Sequence, residues 1–149
     1  MSTLRERQKA RRKLVQALYS WDIGGCDVAT VESQFSDGDD ALNFDFNLFR
    51  EILFGVVNKL AEIDGTFEPH LDRENKQLDP VSRAILRLST YEMVYSIEVP
   101  FRVVINEGVN LAKTFGPGDA FKFINGVLDR VASDCRAIEI SDNQLSEKV

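Results

Sequence analysis

The strongest constraint on the fold is a pair of amphipathic helical patterns over residues 101–132, separated by Gly116-Pro117-Gly118. In both segments apolar residues recur at i, i+3 and i+4 intervals, so one face of each predicted helix must be covered by other parts of the chain. The break ends the first helix, because glycine accepts a left-handed C-terminal conformation and proline cannot continue the hydrogen-bond ladder. Asp119 then stands where an N-cap is expected for the second helix. The first apolar face consists of Phe101, Val104, Ile105, Gly108, Leu111, Ala112 and Phe115, and the second of Ala120, Ile124, Val127, Leu128 and Val131.

Similar periodicity over the rest of the chain predicts an all-α fold. We expect about seven helices, two of them short, in an N-terminal bundle over about 1–75 and a C-terminal bundle over about 76–134. A single helix is predicted over 45–67, a loop over Ser36–Asp40, and a loose acidic tail over 135–149. With 149 residues, 44% of them hydrophobic, the chain is long enough for one domain with a real core.

A helix starting at Asp79 and Pro80 is predicted by their cap and first-turn preferences. Its apolar residues are expected to face inward. Its polar residues are expected mainly on the outside, namely Ser82, Arg83, Arg87, Thr90 and Glu92.

The net charge of −6 conceals a strong asymmetry between the N-terminus and the rest of the chain. Residues 1–13 hold six basic side chains and one acidic one, a charge of +5, so the remaining 136 residues carry −11. A concentrated basic segment attracts phosphates within about a Debye length, ~8 Å at physiological salt, while the acidic body repels polyanions. A localised nucleic-acid contact is one interpretation, and a solvated helix face is the other.

An aromatic ring among polar and basic residues marks a second candidate RNA contact. Phe123 lies about 90° from the centre of its helix's apolar stripe and shares that edge with Arg130, next to Lys122. Such a ring can act as a stacking platform for a base. It can equally be the margin of the core, since packing commonly uses a wide apolar arc.

Other classes of protein receive little support from the sequence. No nucleophile elbow, phosphate-binding glycine loop or metal-ligand spacing is present, which favours a binding protein without metal or cofactor over an enzyme. Cys26 and Cys135 are expected to be reduced thiols, and His70 a surface residue. No apolar run approaches the length of a membrane span and no signal peptide is recognisable, so we expect a cytoplasmic protein.

Three blocks of the chain resemble the NusB family: ARRKLVQALYSWDI, VSRAILRLSTYEM and VPFRVVINEGVNLAKTFGPGDAFKFINGVLDRVA. The blocks follow one another in the family's order, and the resemblance extends over nearly the whole chain. The resemblance implies an all-helical RNA-binding domain of two packed bundles. It also implies binding to the single-stranded boxA element of ribosomal RNA leaders together with the ribosomal protein NusE, in an antitermination complex with RNA polymerase and other Nus factors.

Position by position, the resemblance also implies which residues form these surfaces. Asp119, close to the RNA surface, is expected to limit RNA affinity by repulsion. Gly108 stands where relatives carry alanine, so either the helix is locally less stable or its backbone packs closely there. The RNA-binding side chains are expected to be Arg5, Arg7, Lys9, Arg11, Arg12, Lys13, Tyr19, Lys122 and Phe123. NusE is expected to contact Ser82, Arg83 and Arg87, with Ser82 standing where relatives carry an acidic residue.

Two alternative functions remain open at this level. The first is a homodimeric interaction protein, in which exposed apolar edges pair with a second copy. The second is an RNA-holding domain like the one that begins some ribosomal RNA cytosine methyltransferases. This chain contains no nucleotide-cofactor motif, so it could not methylate alone.

Overall fold

The computed structural model describes residues 2–36 and 43–147, with side chains described to residue 144. The described residues contain eight α-helices, two short 3-10 turns and no β-strand, which confirms the all-α prediction. All of the predicted loop except Ser36 lies outside the described residues. The helices are α1 (Leu4–Gly24), α2 (Val28–Ser36), α3 (Phe46–Asn58), α4 (Leu60–Phe67), α5 (Pro80–Tyr95), α6 (Phe101–Phe115), α7 (Ala120–Cys135) and α8 (Ala137–Glu147).

The helix predicted over 45–67 is divided into α3 and α4 at Lys59, whose φ of −117° and ψ of 30° lie outside the helical range. Hydrogen bonding nevertheless continues on both sides of the division. The Lys59 N–H donates to the carbonyl of Gly55, and the Ile63 N–H donates to the carbonyl of Lys59. An apolar face can therefore run through both helices, which explains why the sequence pattern did not show the division.

The loose tail expected from residue 135 is instead helical through α8. Arg136 is 4% exposed, and its guanidinium donates to backbone carbonyls at the end of α5 and in the following turn. Glu139 pairs with Arg136 and accepts a hydrogen bond from the Phe101 N–H at the start of α6. This pair thus satisfies backbone groups that helix ends leave without partners. The carbonyls bound by Arg136 are those of Glu92, Met93, Ser96 and Val99.

Helix α5 lies at the centre of the fold and packs against α1, α3, α4, α6 and α7. The expectation that its polar residues face outward is therefore wrong for four of the five, because neighbouring helices cover both sides of α5. The side chain of Arg83 is 11% exposed, and the other four residues are buried: Ser82, Arg87, Thr90 and Glu92.

Gly108 allows α6 to approach α5 and α7 closely. A Cβ added there would lie 2.8 Å from Leu128 Cδ1 and 3.0 Å from Ser89 Oγ. Close packing, one of the two explanations offered for this glycine, is therefore found. The backbone approach makes a side chain at position 108 a steric problem.

Four helix ends meet at one end of the molecule. Arg83 Nε donates to Asp22 Oδ2 at 2.7 Å, which joins the C-terminal end of α1 to the N-terminal end of α5. The short connections 96–100 and 116–119 make α6 and α7 reverse direction in turn. The C-terminal end of α6 and the N-terminal end of α7 therefore lie beside the first turn of α5. Tyr19, Lys122 and Phe123 belong to this end.

Candidate nucleic-acid interface

The basic N-terminal segment is helical from Leu4 onward. A capping box fixes its start: Thr3 Oγ1 accepts from the Glu6 N–H at 3.1 Å, and the Glu6 carboxylate accepts from the Thr3 N–H at 3.3 Å. These bonds satisfy N–H groups that a helix start leaves open. The positions of the basic side chains around α1 are therefore set by the helical step of about 100° per residue.

One face of α1 carries a stripe that combines positive charge with an aromatic ring. Five residues share this face within an arc of about 80°, and the first and last are separated by about 21 Å along the helix axis. Arg5 and Arg12 are exposed and have no hydrogen-bond or ion-pair partner among the described residues. They can therefore bind phosphate without first breaking an internal contact. We call this set the α1 stripe: Arg5, Lys9, Arg12, Gln16 and Tyr19.

Arg11 does not belong to the exposed surface, and its assignment to RNA binding on sequence grounds does not fit its position. The residue is only 2% exposed. Its Nε and Nη2 donate to the two carboxylate oxygens of Glu92 on α5, at 2.8 and 2.9 Å. Burial alone would lower the pKa of Arg11, but the hydrogen bonds and charge of Glu92 raise it above its ordinary value. Arg11 is a charged residue of the core.

Two other basic residues of the segment lie outside the stripe, Lys13 beside it and Arg7 on nearly the opposite face of α1. Arg7 is half-buried on the same side of α1 as Arg11, and its Nη1 donates to the Ser2 carbonyl at 2.8 Å. The Lys13 ammonium lies 5.2 Å from the centre of the Phe44 ring, within range of a cation–π interaction. Lys13 adds positive potential beside the stripe, whereas Arg7 adds to the overall positive charge of the N-terminal segment.

Lys122 and Asp119 lie at the start of α7, on the end of the molecule that also holds Tyr19. Lys122 Nζ is 3.9 Å from Asp119 Oδ2, and the two side chains are 69% and 80% exposed. Asp119 occupies the N-cap position of α7, but its side chain makes no capping hydrogen bond. Its carboxylate instead stands in solvent beside Lys122, where it reduces the local positive potential.

Phe123 is half-buried and packs against the core, yet it also contacts a cation on the surface. The Arg73 guanidinium carbon lies 5.0 Å from the centre of the Phe123 ring, and Arg73 is itself paired with Asp72 at 2.7 Å. The ring therefore belongs to the core margin and to a basic surface at once. Sequence reasoning missed Arg73, because the 71–79 connection carries no helical pattern that relates it to α7.

The three residues expected to contact NusE are largely occupied within the fold. Ser82 is 2% exposed. Arg83 binds Asp22, and the side chain of Arg87 forms two hydrogen bonds with Asp64 on α4, at 2.9 and 2.8 Å. Burial would lower the pKa of Arg87, whereas the hydrogen bonds and charge of Asp64 hold it above its ordinary value. These arginines tie α1, α4 and α5 together.

The described residues show neither a membrane-spanning helix nor a metal site. Within residues 2–36 and 43–147, no helix has the length and apolar character needed to cross a bilayer. In the same ranges no three His, Cys, Asp or Glu side chains come together in a way that could hold a metal ion.

Comparisons with known proteins agree with the fold and with the sequence resemblance. Residues 8–133 match the model of the NusB family. The transcription antitermination protein NusB of Shewanella frigidimarina is 48% identical over 126 residues, which cover 85% of this chain and 94% of that protein. The solved structure of Thermotoga maritima NusB superposes with a TM-score of 0.77 and 28% identity, covering 89% of this chain and 93% of the other.

A second solved structure contains the antitermination factors NusB and NusE in complex with double-stranded RNA. It superposes with a TM-score of 0.73 and 28% identity, and the match covers 89% of this chain and 99% of that one. The family model, the Shewanella relative and the two solved structures each match most of this chain. The chain therefore belongs to the NusB family.

Proposed function

We propose that this chain is a non-catalytic antitermination factor of the cytoplasm. It binds the single-stranded boxA element of ribosomal RNA leader transcripts together with NusE and supports read-through by RNA polymerase. The observation that carries the proposal is the α1 stripe, which exposes unpaired Arg5 and Arg12 on the same face as Tyr19. The relatives' names support a role in antitermination, and the structure of NusB and NusE with double-stranded RNA supports NusE and RNA as partners.

The charge distribution explains why RNA binding is localised. The body of the protein repels RNA, since residues 14–149 carry −11, whereas the stripe concentrates cations that attract phosphates at short range. Phosphate contacts give affinity without sequence preference. Preference for boxA then requires contacts with bases, for which Tyr19 provides aromatic surface at the far end of the stripe and Phe123 provides it on α7.

The assignment separates the predicted RNA residues by role. Arg5, Lys9 and Arg12 contact phosphates directly, Lys13 contributes potential from beside the stripe, and Arg7 adds to the charge of the segment from the other side of α1. Lys122 extends the basic surface to the start of α7, where Asp119 weakens it. Arg11 is excluded, since its side chain is buried against Glu92.

The test is fluorescence anisotropy of a labelled boxA RNA titrated with the protein, with and without NusE, against a scrambled RNA of equal length. We expect tighter binding of boxA than of the scrambled RNA when NusE is present. Arg5→Ala and Arg12→Ala should each weaken binding to both RNAs and make the log–log salt slope shallower by about 0.7. The matched control is Arg50→Ala, which removes an exposed cation from α3, far from the stripe in sequence and paired with Glu32.

Equal and weak binding of the two RNAs in the presence of NusE would contradict the proposal. So would an Arg50→Ala variant that lost as much affinity as Arg12→Ala. In that second case the effect would follow from total charge and not from the α1 stripe.

A further inference from the structure

A small apolar groove opens beside the C-terminal half of the α1 stripe. Its volume is about 290 Å³, at the lower limit of the ~300–1,000 Å³ typical of small-molecule sites. Two adjacent i, i+4 ridges of α1 form one wall, and the first turn of α5 and the last residue of α6 form the other. The lining residues are Val15, Gln16, Tyr19, Ser20, Val81 and Phe115.

The side chains of the groove are suited to a flat aromatic ligand. Val15 is 2% exposed and forms an apolar floor, and Tyr19 is 41% exposed, so much of its ring is accessible. Phe115 is half-buried at the end of α6. Two aromatic side chains and two valines offer dispersion contacts to the faces of a ring, while the Gln16 amide and Ser20 hydroxyl at the rim can hydrogen-bond to its edge.

The position of the groove identifies the class of ligand. Gln16 lies one helical turn, about 6 Å, beyond Arg12 on the same face of α1, and Arg12 has no partner among the described residues. A polyanionic strand with a phosphate on Arg12 therefore brings its neighbouring base to the mouth of the groove. An apolar protein side chain would gain less from this continuity, because it carries no phosphate for the stripe.

We propose that this groove holds one unstacked base of the bound RNA, with Tyr19 and Phe115 against the base and Gln16 and Ser20 reading its edge. The inference rests on the function proposed above and deepens it. It assigns Phe115, Val81, Gln16 and Ser20 to RNA recognition. It also separates the site into a stripe for phosphates and a groove for a base, so that the two can be lost independently.

The experiment is an abasic scan of the boxA RNA in the presence of NusE, in which one base at a time is removed and affinity is measured by anisotropy. Two variants change the groove in opposite ways: Phe115→Ala empties it and Ser20→Met fills it. Ser33→Met on α2 is the control for the substitution itself, since Ser33 is a helical serine that is exposed and does not line the groove. Circular dichroism melting of each variant shows whether it remains folded at the temperature of the assay.

In the native protein we expect removal of one particular base to reduce affinity by about 5- to 150-fold, which corresponds to the 1–3 kcal/mol of a base stacked on an aromatic side chain. In Phe115→Ala and Ser20→Met the intact RNA should bind more weakly than to the native protein. Removal of that same base should then reduce the affinity of these variants only slightly further. The salt slope should not change in either variant, because the phosphate contacts are retained. Ser33→Met should behave as the native protein.

The base assignment is overturned if the abasic penalties of the native protein persist unchanged in both groove variants while RNA is still bound. It is also overturned if the variants weaken binding of NusE in the absence of RNA and leave the abasic scan unaltered, since the groove then holds a protein side chain. In both cases the native preference for boxA survives. Failure of the proposed function would instead remove that preference from the native protein itself.

Discussion

Replacement of Arg11 by methionine tests most directly the distinction between the core and RNA-binding arginines of α1. In the native protein the Arg11 and Glu92 side chains are 3% and 1% exposed and joined by two hydrogen bonds. Methionine keeps much of the volume but leaves the Glu92 carboxylate buried without its partner. Removal of one member of a buried ion pair costs about 3–5 kcal/mol.

This cost is a large part of the total stability, which for most domains is about 5–15 kcal/mol. For a chain of this size about 1 kcal/mol shifts the melting temperature by roughly 2–4 °C. We therefore expect Arg11→Met to lower the melting temperature by roughly 6–20 °C. The double variant Arg11→Met/Glu92→Leu should recover much of the loss, because it removes both charges from the core.

The assay combines urea unfolding, followed by circular dichroism, with RNA anisotropy at several salt concentrations. Arg12→Met is the matched control: its native side chain is exposed and unpaired within the described residues, so its stability should change by less than about 0.5 kcal/mol. For RNA binding we expect the reverse, with the larger effect in Arg12→Met and the smaller one in Arg11→Met. Arg12→Met should make the salt slope shallower by about 0.7, and folded Arg11→Met should keep the native slope.

An Arg11→Met protein with native stability would refute this reasoning. The same conclusion would follow if the Arg11 and Arg12 variants made the salt slope equally shallow, because both arginines would then contact phosphate. Failure of the double variant to recover stability would contradict the pairing itself.

Three further predictions concern other contacts. Phe123→Ala should weaken boxA binding by about 5- to 150-fold with an unchanged salt slope. Anisotropy at several salt concentrations measures that slope, and a shallower slope would mean that the lost contact was electrostatic and not a stacked base. Arg136→Met should destabilise the protein by at least about 3 kcal/mol, because carbonyls of Glu92 and Ser96 at the end of α5 lose a charged donor; a native melting temperature would argue against this cap. Gly108→Ala should destabilise the protein by about 1–3 kcal/mol through overlap with Leu128. Gly65→Ala, where a new Cβ meets nothing within 4 Å, should stabilise it by up to about 1 kcal/mol. Melting temperatures that change in the same direction in both variants would contradict the packing argument.

Local periodicity in the sequence was sufficient to predict most of the helices. The stripe of α6, the Gly116-Pro117-Gly118 break and the start of α5 at Asp79 and Pro80 each depend on residues within a few positions of one another. Helical propensity, capping and the loss of a proline N–H act at that range. The same range explains the failure at α8, which depends on contacts of Arg136 with residues about 40 positions away.

The role of individual charged side chains was decided only by the tertiary structure. Arg11 and Arg12 are neighbours in sequence, but a helical step of about 100° directs one toward Glu92 and the other toward solvent. Likewise, Arg73 reaches the Phe123 ring only because the 71–79 connection returns to the start of α7. The sequence by itself determined where helices form, that the N-terminus is basic, and which family the chain resembles. Which arginines are free for phosphate, and where a groove opens beside them, depended on long-range packing around α5, because burial and pairing are properties of surfaces that meet only after the chain has folded.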